Sequence, residues 1–395
     1  MPDVVSVVTK RKGFGGRLAD SIKGIFFGFI LFIGAFPLLW WGEGRQNLAE
    51  FVQQATRVEP AGTPAIKESP LIKTTGIVSS AESVTDPQFL PGLSGENILQ
   101  LERNVQMYAW DEDVKTEERG EEEIKTYTYT KEWTSFPSNS SNFNTPGGHE
   151  NPPMTVNDES FKIQNATVGE LAFDAGNAEF YELSDMSLEQ NQTAGDFQGR
   201  KTVLSAGGKY LYLPLLASAQ SPESSPQSGS VAAPLASPQI GDLRISYAYY
   251  PANKTGTVVG DWDGNWITPH IYRKTGTFLG VYPGTAEMFA AMLERQHRMI
   301  TWIIRIGSLF MMWIGMNMIL GPILVVMEKI PVLGALGRGM IGLVTGAIAF
   351  VLWLATLIIA NLWALLVVAG LLVIIAIVVV KKKKGETAAA PAVPA

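Results

Sequence analysis

The sequence predicts an α+β membrane protein: four transmembrane helices, with a large β-rich extracytoplasmic domain between helices 1 and 2. Three observations predict it. From Gly339 to Val380 there is no ionisable side chain, a run of 42 residues that ends in Lys381-Lys382-Lys383-Lys384. Two further apolar stretches, Gly24–Trp41 and Ile306–Val326, are long enough to cross hydrocarbon. Between those two lies an acidic region in which apolar and polar residues alternate with period two.

The elements follow in chain order. Residues 1–23 carry Lys10, Arg11, Lys12, Arg17 and Lys23 against Asp3 and Asp20, and are expected as a cytoplasmic basic N-terminus. Helix 1 spans 24–41 and closes on Trp40-Trp41, a pair suited to the membrane interface. No small-residue cleavage site follows, so it reads as an uncleaved signal anchor. Residues 42–305 form the extracytoplasmic domain. Flanking helices are expected at 45–59, where Leu48, Phe51, Val52 and Ala55 fall at helical spacing, and at 285–298. Strands are expected where Tyr127, Tyr129 and Trp133 alternate with Thr128 and Thr130, and where Leu243, Ile245, Tyr247 and Tyr249 alternate with polar or small residues. Val258-Val259 and Trp266-Ile267 flank Asp263-Gly264, a tight hairpin turn. Some helix is expected near Val168–Leu188, and 217–239, rich in Ser, Pro, Ala and Gln, reads as a disordered surface loop. A weak internal repeat would relate the segment beginning at Gly76 to the one beginning at Gly208.

Helix 2 spans 306–326, with Arg305 at its outer edge, where it can snorkel. A cytoplasmic connector, 327–339, leads to helix 3 (340–360) and helix 4 (363–380), separated only by Asn361-Leu362. One straight helix over this run would extend ~63 Å, about twice the hydrocarbon thickness, so a hairpin is predicted. The basic tail, 381–395, marks its cytoplasmic end.

Charge and composition remove several function classes. The middle, Arg45 to Arg298, holds 19 Lys/Arg and 32 Asp/Glu, so it offers no basic surface for nucleic acid. There is no cysteine, hence no disulfide or thiolate chemistry. His149, His270 and His297 are far apart in sequence, and the HExxH, GxSxG, P-loop and dinucleotide patterns are missing. No catalytic residue, cofactor site or metal site is assigned.

Two sets of residues invite a role. Asp111, Glu112, Asp113, Glu117, Glu118, Glu121, Glu122 and Glu123 form an acidic stretch, read as a solvated hairpin tip or as a site for a cation or basic partner. It lacks the alternating ligand spacing of a calcium loop. Asp261-Trp-Asp263-Gly264-Asn265 also lacks the distal glutamate of such a loop, and reads as a β-turn. Gly24/Gly28 and Gly342/Gly346 have the spacing that lets helix backbones approach, within the chain or between chains, and Asn317 needs a hydrogen-bonding partner mid-span. Eight methionines from Met288 to Met327 suit adaptable packing better than soft-metal ligation, given no cysteine or nearby histidine pair.

Six stretches in order carry a resemblance. They are Glu43-Gly-Arg-Gln-Asn-Leu48, Arg103-Asn-Val-Gln-Met-Tyr-Ala-Trp-Asp-Glu112, Tyr127-Thr-Tyr-Thr-Lys-Glu-Trp133, Gly148-His-Glu-Asn-Pro152, Gly241-Asp-Leu-Arg-Ile-Ser-Tyr-Ala-Tyr249 and Gly315-Met-Asn-Met318. Together with the four-span layout, the chain resembles the LUMA (transmembrane protein 43) family over nearly its whole length. The resemblance implies a non-enzymatic membrane protein that organises membrane, with emerin and lamins as partners in animals; ion-conducting roles have also been proposed for the family. The Ala/Pro-rich end and the lack of cysteine suggest a bacterial member, in the cytoplasmic membrane with a periplasmic domain. A eukaryotic member would sit in the endoplasmic reticulum or inner nuclear membrane. The expected function is a membrane-organising scaffold, self-associating through its helices, with an extracytoplasmic protein partner; an ion channel or channel subunit is the alternative.

Overall fold

The alternating stretches fold as strands in the computed structural model, which describes residues 3–11, 13–62, 71–92, 97–119, 122–189, 191, 193, 195–215, 238–327 and 339–361. These form two units: one from residues 1–11 and 47–294, the other from 12–46 and 295–395.

The first unit is built on two sheets. Sheet one runs β1 (Asp3–Arg11), β5 (Glu122–Thr134), β4 (Ile98–Arg119), β15 (Leu243–Pro251), β14 (Leu211–Leu213), β13 (Val203–Leu204), with β6 (Glu159–Lys162) on β4 and β10 (Ser184–Asp185) on β15. Sheet two runs β2 (Thr56–Val58), β3 (Leu71–Ser79), β7 (Asn165–Val168), β8 (Leu171–Asp174), β17 (Trp266–Thr268), β16 (Lys254–Trp262), β20 (Gly280–Tyr282), β9 (Glu179–Phe180), with β3 also pairing β16. Two short hairpins, β11–β12 (Asp196–Phe197 with Arg200–Lys201) and β18–β19 (His270–Tyr272 with Gly276–Phe278), complete it. On β15, Leu243, Ile245 and Tyr247 are buried in strict alternation, which fixes its register against β4 because a one-residue slip would expose all three. Each fully buried aliphatic side chain of this kind stabilises by roughly 1.5–3 kcal/mol.

Several expectations give way to the sheets. The helix expected over 45–59 is α2 (Leu48–Gln54), capped by Asn47, whose side chain accepts from the Ala49 N–H at 3.1 Å. After Ala55 the β-branched Thr56 and Val58 pair in parallel with β3 instead. No helix forms near Val168–Leu188 beyond one short turn at Ala175–Asn177: Val168, Leu171, Phe173 and Ala175 are buried, and Gly169 (φ +60°) turns β7 back on β8. The internal repeat is not a structural one, since β3 lies in sheet two and its counterpart β14 in sheet one.

The N-terminus is the largest departure. Residues 1–23 were expected to stand apart from the β-rich domain, yet Asp3–Arg11 is an edge strand of sheet one, paired from Asp3↔Tyr129 to Arg11↔Glu122. Its valines suit a strand, and Lys10 and Arg11 fall opposite Glu123 and Glu122, a favourable cross-strand arrangement. Residues from Phe14 onward already belong to the first long helix.

The second unit is helical. Among the described residues three helices are long and apolar enough to cross a membrane: the region of α1 (Phe14–Glu43), α3 (Ala286–Ile319) and α5 (Gly339–Asn361). The fourth expected span, 363–380, most of the connector, the tetralysine and the loop from 217 to 237 lie outside the described residues. The helix expected at 285–298 and the span that begins at Ile306 are one helix, α3. The span expected to reach Val326 instead breaks after Ile319 and resumes as α4 (Gly321–Met327). Pro322 explains the break, because a proline ring clashes with the carbonyl four residues earlier. Apolar side chains stand exposed along all three long helices, among them Phe26, Ile33, Ile303, Phe310, Leu343 and Val351, as lipid-facing surfaces require.

Candidate functional site

The acidic stretch runs along a two-stranded ribbon: Asp111, Glu112 and Asp113 lie toward its base, and Glu117, Glu118, Glu122 and Glu123 lie at the far end of the β4–β5 pairing. β4 pairs with β15 only as far as Met107, and from there to Arg119 its partner is β5. The twelve residues Tyr108–Arg119 extend ~40 Å at ~3.3 Å per residue, so the carboxylates are spread along a ribbon. Glu117 pairs with Lys115 at 3.0 Å, Glu122 with Arg11 at 3.4 Å and Glu123 with Lys125 at 3.8 Å. Asp113 lies opposite Thr128 and Glu118 opposite Glu123, while Glu121 lies outside the described residues.

Asp111 and Glu112 sit at the base of the ribbon, and there side chains converge. Tyr129 on β5, 1% exposed, donates to Glu112 Oε2 at 2.6 Å, and the same oxygen accepts from the Asn144 N–H at 2.7 Å. The Thr145 N–H donates to the Tyr129 oxygen at 3.0 Å, and Ser138 donates to Asp111 at 3.0 Å. His149 stacks on Tyr129 (centroids 3.9 Å, 16°) and meets the Trp110 ring edge-on, with Nδ1 2.9 Å from the Thr145 carbonyl. Asn151 bonds both the N–H and the carbonyl of Trp110, and the Lys131 ammonium sits 4.2 Å from the Trp110 ring centre. Burial, and then the bond to Glu112, hold the Tyr129 phenol above its ordinary pKa, so it stays a donor. Glu150 is exposed, and its own N–H and that of Gly148, bonded to its carboxylate, hold it below the usual range.

Deeper in sheet one, β4 places Arg103 between the inward-facing Leu101 and Val105. Its guanidinium donates to Asp86 Oδ2 at 2.8 Å, Gln88 at 2.9 Å, Glu159 at 2.6 Å and the Asn157 carbonyl at 3.1 Å. Tyr247 on β15 donates to the same Asp86 oxygen at 2.7 Å. Burial and the Asp86 bond raise the Tyr247 pKa. All three guanidinium nitrogens are hydrogen-bonded, and alternation alone gave no reason to expect a charge there.

The other described histidine of this unit is also committed. His270 Nδ1 faces Asp261 at 2.9 Å, with Phe51 against the ring. Asp263 accepts from the N–H groups of Asn265 and Trp266, closing the β16–β17 turn with Gly264 at φ +107°. Among the described residues no group of three acidic or histidine side chains is placed to hold a metal ion.

In the helical unit the nominated glycines separate. A Cβ on Gly28 would lie 2.7 Å from the Gly315 carbonyl oxygen, and one on Gly315 the same distance from the Gly28 oxygen, so α1 and α3 meet backbone to backbone. A Cβ on Gly24 would lie 4.0 Å from the Met318 oxygen, one on Gly342 would have open space, and one on Gly346 would meet Trp313 at 3.4 Å. Gly342 acts instead through its carbonyl, which accepts from Trp313 Nε1 at 2.9 Å. Asn317 bonds the Trp313 carbonyl at 2.8 Å and accepts from Thr345 of α5 at 3.2 Å. Arg305 does not snorkel: it makes a bidentate pair with Glu43 at 2.7 and 2.9 Å. Met311, Met312 and Met316 pack with Phe32, Ala35 and Phe36, as apolar fillers.

Comparison with known proteins now bears on these contacts. The model of the family described as transmembrane protein 43 matches residues 107–365. The chain belongs to the transmembrane protein 43 family. It is 27% identical over 394 residues to transmembrane protein 43 of Pongo abelii, covering 91% of this chain and 90% of that protein. Against the Homo sapiens protein it is 26% identical over 398 residues, 92% and 91% covered. Against the Drosophila melanogaster homolog it is 25% identical over 360 residues, 86% and 88% covered. No solved structure matches the chain.

The six stretches that carried the resemblance fall on these contacts in this transmembrane protein 43 family member. Arg103, Trp110 and Glu112 come from one, Tyr129 and Lys131 from the next, His149 and Asn151 from a third and Tyr247 from a fourth. Glu43 and Gly315 belong to the remaining two. Sequence reasoning missed the Gly315 contact, the Glu43–Arg305 pair and the His149–Tyr129 stack, each of which joins residues over a hundred positions apart or across an irregular loop. The available signal was that Glu43, Tyr129, His149 and Gly315 fall inside the recognised stretches; Arg305 lies in none of them.

Proposed function

We propose that this chain is a non-enzymatic, multi-pass membrane scaffold whose acidic ribbon docks a basic segment of a protein partner and whose helices self-associate. The observation that carries the reading is the ribbon itself. It extends past the end of the β4–β15 pairing, keeps Asp113, Glu117, Glu122 and Glu123 on paired strands, and is braced at its base by the Tyr129–Glu112–His149 cluster. A long paired ribbon spaces its carboxylates at strand intervals, and such charge complementarity favours specificity and fast association over raw affinity. Support for a non-enzymatic role comes from His149 and His270, whose Nδ1 atoms and rings are engaged in structural contacts. A channel gains nothing from Asn317, whose amide is spent on Trp313 and Thr345.

The test is a pull-down of the detergent-solubilised chain with mass determination of the intact complex. A Glu117→Gln/Glu122→Gln/Glu123→Gln variant is expected to lose a protein that the wild type retains. Equal capture by both would sink the ribbon assignment, and a particle containing one 42.9 kDa chain at every concentration would sink self-association.

A further inference from the structure

One face of α3 has the polarity of a lipid molecule. Arg295, Arg298, Trp302, Ile306 and Phe310 recur at three- and four-residue spacing, lie on one face and are all exposed. From Arg298 to Phe310 this stripe extends ~18 Å at ~1.5 Å per residue, about one leaflet with its headgroup layer. The charges stand at one end, Trp302 follows one turn on and the apolar residues come after. That is the order of phosphate, interface and acyl chain.

Among the described residues no carboxylate neutralises the basic end. Arg295 and Arg298 make no ion pair among the described residues. The axial level is set by Glu43, which bonds Arg305, and by Gly42, against Ile304. Arg45, two residues past Glu43, therefore stands at the same end of the helical unit. Its Nη1 is buried without an acceptor among the described residues, and its guanidinium lies 5.9 Å from the Trp41 ring centre. Glu43, the carboxylate nearest in sequence, is already bound bidentately to Arg305. A buried guanidinium donor without an acceptor costs free energy, and an oxyanion would satisfy it.

We propose that this end of the α1–α3 pair binds an anionic glycerophospholipid. Its phosphate is held by Arg298 and Arg295 with Arg45 close by, and an acyl chain lies along Trp302, Ile306 and Phe310. The inference needs only that α1 and α3 are embedded in lipid and stands apart from the ribbon's role.

The full chain, purified in mild detergent, is offered mixed micelles of phosphatidylcholine and phosphatidylglycerol, and retained lipids are counted by native mass spectrometry. Wild type is expected to retain phosphatidylglycerol preferentially, and to lose that preference near 1 M salt, where the Debye length is about 3 Å. Arg295→Gln/Arg298→Gln should weaken phosphatidylglycerol retention by roughly fivefold per arginine, about 25-fold together, with phosphatidylcholine unchanged. Arg295→Lys/Arg298→Lys should keep the preference. No preference in wild type, a preference indifferent to salt, or the same retention in the glutamine variant would each overturn the proposal, as would loss in the lysine variant. Displacement of the lipid by millimolar inorganic phosphate would mark a free-phosphate site and overturn the lipid assignment.

Discussion

Replacing Arg103 with leucine tests whether the buried ion pair organises sheet one. Arg103 is 4% exposed and Asp86 is fully buried. The substitution removes four guanidinium hydrogen bonds and leaves Asp86 with the Tyr247 hydroxyl and the Gln88 N–H as partners. Leucine fills much of the volume, so the cost is dominated by a carboxylate left buried without its counter-charge, about 3–5 kcal/mol. For a unit of this size each kcal/mol shifts the melting temperature by about 2–4 °C, so a loss of roughly 6–20 °C is expected. The comparison that isolates the cause is Arg103→Leu/Asp86→Leu. Removing both charges should recover much of the stability, because the stranded carboxylate is gone. Melting of the β-rich unit is read by tryptophan fluorescence or by hydrogen exchange of β4 and β15 amides in the full chain. Should Arg103→Leu melt with wild type, or the double variant melt lower still by the sum of the single effects, the pair would not be coupled and the argument would fail.

Three further outcomes follow from the geometry. Gly28→Leu should separate α1 from α3, since its Cβ would meet the Gly315 oxygen at 2.7 Å, costing about 1–3 kcal/mol, whereas Gly342→Leu should be nearly silent; helix-pair crosslinking yield distinguishes them. Burial raises the phenol pKa of Tyr129, Tyr181, Tyr247 and Tyr250 above the ordinary 10.0, so the unfolded chain releases these protons first. The denaturation midpoint of the β-rich unit should therefore hold from about pH 7 to 9 and fall as pH rises beyond about 10. Because the chain has no cysteine, single cysteines at Val7 and Val114 can be labelled with a membrane-impermeant maleimide. Both should react from the same side, since β1 pairs with β5 and β5 with β4; labelling from opposite sides would refute the β1–β5 pairing in membranes.

Much of the membrane part was legible because lipid imposes a one-dimensional rule: a spanning helix must be long, apolar and internally hydrogen-bonded. Gly24–Trp41 and Met340–Ala360 announce themselves by that rule. The period-two strands β5 and β15 were equally open, since burying one face of a sheet writes itself into every second residue. The Asp263-Gly264 turn was legible for a local reason, its need for left-handed backbone. The helix expected near Val168–Leu188 failed because short runs fit both periods, and only the sheet they join decides.

What the sequence by itself determined is the solvent of each segment: apolar runs for lipid, alternating runs for a two-sided sheet, and a cysteine-free acidic middle. Only the tertiary structure decided which distant residues meet. It set Gly315 of α3, outside the nominated glycine pairs, against Gly28, gave Arg305 to Glu43, sank Arg103 into a core beside Asp86 and Tyr247, and turned Asp3–Arg11 into a strand. The physical reason is that hydropathy is a property of each residue summed locally. Close approach, charge pairing and strand partnership are properties of pairs, whose separation in space the order of residues does not state.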